Sequence, residues 1–153
     1  MNYHLVILKK PYLDLILTGR KTIESRFYQT KHKWLSQVGA GDKLFLKASS
    51  GPVMATATVA VVKYFDNLAA RQIAELQKQY NQHIAGDEQY WREKANSRFG
   101  ILCWLKDVRP ITPRFIRKAD WRAWVLLTPK EHFGLLATFR PTAFEKWGSR
   151  PSQ

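Results

Sequence analysis

The order of apolar and polar positions divides this chain into short strands and a few helices. Tyr3-His4-Leu5-Val6-Ile7-Leu8 is apolar without alternation, which predicts a strand covered on both faces. Pro11 opens a helix over Tyr12–Thr18 and Gly19 closes it, the usual asymmetry of proline at the start and glycine past the end. Leu13, Ile16 and Leu17 give that helix its buried stripe. Lys21–Arg26 reads as a second strand, and Tyr28–Gly41 as a polar loop containing Trp34. The Gly41-Asp42 turn leads into a strand over Lys43–Ala48, and Ser49-Ser50-Gly51-Pro52 forms the next turn. Val53–Phe65, dense in β-branched residues, is the strongest strand. Two helices follow: Leu68–Tyr80, with Leu68, Ile73 and Leu76 near helical spacing, and Asp87–Ala95, which begins with acids. Phe99–Leu105 is again a strand, Pro110 and Pro113 break the chain, and Asp120–Thr128 is the last strand. In that strand Trp124 is expected in the core and Trp121 over the barrel end.

These elements predict an α+β fold, a small mixed β-barrel of five or six strands with flanking helices. The barrel is expected to occupy residues 1–128, with a helical insertion at about 68–96 that packs around it. Residues 129–153 form an extension. Phe133, Leu135, Leu136, Phe139, Phe144 and Trp147 make it too apolar for disorder, so it is expected to pack back on the barrel.

Composition narrows the class. The 153 residues fit one domain, and 45% hydrophobic with 24% charged residues exclude global disorder. No apolar run reaches the roughly 20 residues of a membrane span, so a membrane partner is not expected. The first ten residues lack the pattern of a secretory leader. The single cysteine, Cys103, lies between Leu102 and Trp104 and is expected in the core; it permits no intrachain disulfide, which predicts a cytoplasmic setting. Charge points to the partner. Against 12 acids stand 25 Lys and Arg, giving +13 and a pI of about 10.1. That is a footprint of nucleic-acid binding, though an anionic membrane or a small anionic substrate also attracts such a surface. The excess is uneven: residues 1–47 and 109–153 each carry nine cations and three acids, whereas 48–108 carry seven and six. If the two ends meet in the fold, they build one positive face.

The chemistry concentrates in Gly19-Arg20-Lys21-Thr22-Ile23-Glu24-Ser25-Arg26. On a strand, Thr22, Glu24 and Arg26 share one face and Ile23 points to the core. Lys21 faces away from Glu24 unless it belongs to the turn after the helix, a turn that Gly19 makes possible. A lysine beside a carboxylate in a dry cleft can serve as acid, base or anion clamp. Lys47 and Ser49 end a strand at a flexible turn able to donate N–H groups to phosphate. Lys31-His32-Lys33-Trp34 interleaves cations with an aromatic ring, a pattern suited to base stacking beside phosphate contacts. The histidines at 4, 32, 83 and 132 lack metal-ligand spacing, so no structural metal is expected.

Residues 9–26, with the G-x-K-x-x-E-x-R pattern at Gly19, Lys21, Glu24 and Arg26 and a Gly-Asp turn at Gly41-Asp42, closely resemble the ASCH domain family of PUA-like β-barrels. The resemblance implies RNA or a nucleotide-like ligand, held in a cleft beside this motif, in RNA processing or regulation. Lys21 and Glu24 are then the reactive pair. Arg26 and Lys47 contact phosphate or hold Glu24, and Lys10, Tyr12, Trp34 and Ser49 are further binding candidates. Some members of the family are hydrolases, and that alternative would use Lys21 and Glu24. One kind is a metal-dependent ribonuclease, which would need a divalent cation. The other is an amidohydrolase that removes acetyl from acetylcytidine, with a threonine nucleophile and a later glutamate. Here Glu24 stands where that threonine would be, and Glu75 matches the later glutamate only loosely. A carboxylate cannot replace a hydroxyl as acyl acceptor without changing the chemistry.

Overall fold

The structure, a computed structural model, describes residues 1–139. In chain order it contains β1 (Tyr3–Leu8), α1 (Lys10–Leu17), β2 (Ile23–Tyr28), a 3-10 turn (Lys33–Gln37), β3 (Lys43–Ala48) and β4 (Val53–Phe65). These are followed by α2 (Ala70–Ile84), α3 (Glu88–Lys94), β5 (Phe99–Arg114), β6 (Trp124–Leu127) and a second 3-10 turn (Leu135–Phe139). The six strands make one curled mixed sheet in the order β2-β5-β4-β3-β1-β6, a half-barrel of the α+β class. Only β1 and β3 run parallel among these pairs; the connection between them carries α1 and β2.

The unbroken apolar run of β1 has its reason in this placement. Val6 and Leu8 enter the barrel core with Leu44, Leu46, Ala55, Ala57, Ile101 and Trp124. Leu5 faces the other way, against Phe45, Val125 and Leu135. A third cluster, Ile23, Phe27, Leu68, Ile73, Ile84, Trp91 and Leu102, seats α2 and α3 on the outer face of β2 and β5. Leu135 is fully buried, so the start of the C-terminal extension is anchored on the barrel; Phe144 and Trp147 lie outside the described residues.

Two expectations need correction. The chain does not break at Pro110 and Pro113, because β5 continues to Arg114. Its partner β2 covers only Phe99–Trp104, so beyond that point β5 is an edge where a missing N–H costs no ladder bond. Three register shifts against β4 absorb the irregularity. The second concerns Trp121, which covers nothing. It precedes β6, which starts only at Trp124, and is 100% exposed. Trp124 is buried in the core, as expected, and so is Cys103.

The sheet stays open between its edge strands β2 and β6, and Arg26 crosses the gap. From β2 its guanidinium donates to the carbonyls of Ile7 on β1 (2.8 Å) and Ala123 just before β6 (3.3 Å).

Candidate functional site

At this seam lies a cavity of about 300 Å³, at the small end of ligand-binding volumes. Motif residues Lys21, Glu24, Ser25 and Arg26 form its floor. Tyr12 on α1 and Tyr90 on α3 stand on its walls, and Lys9 and Lys94 bring cations to it.

The backbone explains the motif spacing. Gly19 takes φ +81° after α1, a conformation that glycine adopts without strain. β2 begins only at Ile23, so Lys21 belongs to the turn and reaches back beside Glu24. Lys21 and Glu24 are nearly inaccessible, at 4% and 5%. The Lys21 Nζ donates to the carbonyls of Ile23 (2.9 Å) and Ile84 (2.7 Å) and pairs with Glu24 Oε1 at 3.3 Å. Ile84 ends α2, whose dipole presents its negative end there. Glu24 Oε2 accepts from Arg26 Nε at 2.9 Å and pairs with Arg26 Nη2 at the same distance. Burial pushes the Lys21 pKa down, opposed by Glu24. For Glu24 burial alone would raise the pKa, yet the charges of Arg26 and Lys21 outweigh it and hold the carboxyl below its usual value. The triad is therefore a network of two cations and one anion, with Lys21 and Glu24 buried and Arg26 half-buried, in which Lys21 is held by two carbonyls and the carboxylate.

The open wall has different chemistry. Tyr12 and Tyr90 meet edge to face, their centroids 6.1 Å apart. The Lys21 ammonium lies 5.4 Å from the Tyr12 ring, and the Lys94 ammonium 5.6 Å from that of Tyr90. The Ser25 hydroxyl and the Tyr90 hydroxyl are 2.6 Å apart, and Tyr90 also donates to the Ser25 carbonyl at 3.2 Å. Burial pushes the phenol pKa of Tyr90 well up, so it stays protonated.

A second network braces the seam. His4 Nε2 donates to Asp42 Oδ2 at 2.8 Å, and its Nδ1 accepts from Trp124 Nε1 at 3.1 Å. Trp124 stacks on Trp34 with centroids 4.5 Å apart, and the Arg26 guanidinium lies 5.4 Å from a Trp124 ring centroid. Asp42, from the Gly-Asp turn, thus acts on the site through the ring that Arg26 covers.

Of the sequence candidates, Lys21, Glu24, Arg26 and Tyr12 converge on the cavity. Lys10, Trp34, Lys47 and Ser49 are not among its lining residues. Lys10 pairs with Asp14 on the exposed side of α1. Lys47 donates to the Ala48 carbonyl, and the Ser49 N–H is taken by the Leu8 carbonyl. Trp34 commits a face to Trp124. Glu75 is exposed on α2, away from the lining. Sequence reasoning missed Tyr90, Glu93 and Lys94, because the insertion was expected only to pack around the barrel, whereas α3 supplies a wall of the cavity. The acid-led start at Asp87, which caps α3 by accepting from the Tyr90 N–H at 2.7 Å, was the available signal. The donor set does not fit a divalent metal: Glu24 is engaged by two cations, and among the described residues no three His, Cys, Asp or Glu side chains converge.

Comparison with known proteins adds the following. The profile of the ASCH domain matches residues 6–131. The crystal structure of ASCH from Zymomonas mobilis superposes with a TM-score of 0.68 at 16% identity, covering 89% of this chain and 94% of that one. Two single-site mutant forms of the same protein give TM-scores of 0.68 and 0.67 at 16% and 18% identity, covering 90% of this chain and 98% and 96% of theirs. At such identities the likeness shows the fold. No curated protein sequence matches the chain.

Proposed function

This chain belongs to the ASCH domain family, and from that premise we propose that it is an RNA-binding module which takes an unstacked base or nucleotide into the cavity beside the Lys21–Glu24–Arg26 triad. One observation carries the reading: the ionisable motif residues are already paired with one another, while the open wall offers rings, hydroxyls and peripheral cations. A catalyst needs a free nucleophile, base or activated water. A base-reading pocket needs flat apolar walls and a few fixed polar groups, which Tyr12, Tyr90 and Ser25 provide. Glu24 Oε1, bonded only at 3.3 Å, retains capacity to accept from an amino group of a base edge. Lys9 and Lys94 serve phosphate.

The test is to titrate the full chain with single-stranded RNA oligonucleotides and free nucleotides, and to recover the RNA for mass spectrometry. Saturable binding, at least tenfold weaker in Tyr12→Ala, with the RNA recovered intact, supports the reading. Absence of binding at low salt overturns it. Cleaved or deacetylated product that disappears in Lys21→Ala replaces it with the hydrolase alternative.

A further inference from the structure

The segment between β5 and β6 carries two exposed aromatic side chains among cations: Phe115, 77% exposed, and Trp121, 100% exposed. A tryptophan ring exposed on both faces offers a large flat surface of the kind enriched at interfaces. Arg117 and Arg122 are exposed in the same segment. The segment is braced around Trp121. Asp120 accepts from Lys118 Nζ (2.7 Å), from the Arg122 N–H (3.0 Å) and from Arg122 Nε (2.8 Å), and Arg122 also bridges to Glu131. The ring is thus presented on a clamped turn with no described contact of its own. Two residues on, Ala123 lines the cavity and its carbonyl holds Arg26. Two residues of chain span at most about 7 Å, so the base of Trp121 sits at the cavity's edge.

We infer that Trp121, with Arg117 beside it and Arg122 holding its turn, is a stacking platform for the nucleotide adjoining the one in the cavity, so that the ligand is a single-stranded RNA segment and not a free nucleotide. This rests on the nucleotide-binding reading of the cavity. An aromatic face beside guanidinium groups takes any base without regard to sequence. The platform therefore supplies affinity and polymer selectivity, and the cavity supplies base choice. An anionic lipid surface also attracts tryptophan among arginines. RNA is favoured because Trp121 lies two residues from Ala123, which lines the cavity proposed as a nucleotide site.

Trp121→Ala and Trp121→Phe separate the possibilities, since removing a ring without contacts leaves the fold intact. Affinity is measured for a free nucleotide and for a short single-stranded RNA in the full-length protein. We expect Trp121→Ala to weaken the oligonucleotide about 5- to 100-fold with the nucleotide unaffected, and Trp121→Phe to restore most of the loss. Iodide quenching of the Trp121 contribution should fall when the oligonucleotide binds. Unchanged oligonucleotide affinity overturns the platform, as does quenching that shows Trp121 already shielded in the free protein. Trp121-dependent binding to phosphatidylserine vesicles without any effect on RNA overturns it in favour of a membrane contact. If neither nucleotide nor oligonucleotide binds the wild type, the cavity reading fails first.

Discussion

At the scale of single residues, Glu24 decides the electrostatics of the site. It is the one acid between buried Lys21 and half-buried Arg26, and breaking a buried pair from one side typically costs about 3–5 kcal/mol. Glu24→Gln should therefore lower stability in urea by that order, and double replacement with Arg26 should cost less than the two single losses added. The same residue sets a pH dependence. Its carboxyl lies below the ordinary 4.5 in the folded chain, so the unfolded chain binds the proton first as pH falls. The stabilisation is complete above about 4.5 and is lost as pH drops through the lower folded value. Melting temperatures of wild type should fall across that window, and those of Glu24→Gln should fall less; parallel curves would remove Glu24 from the acid limb. The pairing of Lys21 with Glu24 was legible in the sequence, because a turn at Gly19 and a three-residue spacing allow it. That Lys21 is held by backbone carbonyls as well was not, because one of them is 63 residues away at Ile84.

At the scale of elements, close approach between strands and helices governs what the sheet tolerates. Gly100 on β5 faces Phe27 on β2, and a Cβ there would lie 2.4 Å from the Phe27 ring. Phe27 in turn seats Trp91 of α3, with ring centroids 5.9 Å apart, so overpacking at Gly100 would tilt the wall that carries Tyr90. We expect Gly100→Ala to cost about 1–3 kcal/mol and to weaken nucleotide binding as well, measured by denaturation and titration of one preparation; a stability loss with unaltered affinity would uncouple α3 from the site. β1 is held to β6 partly through His4, whose Nδ1 accepts from Trp124. Trp124→Phe would strand that nitrogen at a cost of about 1–3 kcal/mol. The bounds of β1, β3 and β4 could be read from apolar runs and punctuation. The course of β5 could not, since tolerance of Pro110 and Pro113 depends on how far β2 extends beside it, a tertiary fact.

At the scale of the whole molecule, the charge distribution acquires a geometry. The first and last described strands pair directly, from Tyr3 with Leu127 to Val6 with Trp124. The described parts of the two ends of the sequence are therefore neighbours in the sheet, beside the seam that Arg26 spans. Local charge counts gave the excess at each end but could not say which cations reach the cavity. Lys10, conspicuous beside Pro11, pairs with Asp14, while its neighbour Lys9 lines the cavity with Lys94. On the RNA-binding reading we propose, Lys9 and Lys94 serve phosphate, and salt dependence tests that. For single strands the logarithm of the binding constant falls with the logarithm of salt by about 0.7 for each phosphate neutralised. Replacing Lys9 and Lys94 together by alanine should flatten the slope by about 1.4, measured by fluorescence anisotropy between low and physiological potassium chloride. Lys10→Ala should leave it nearly unaltered, because Asp14 already balances that charge. A steeper loss of slope in Lys10→Ala than in the double variant would move the RNA path off the cavity and onto the exposed side of α1.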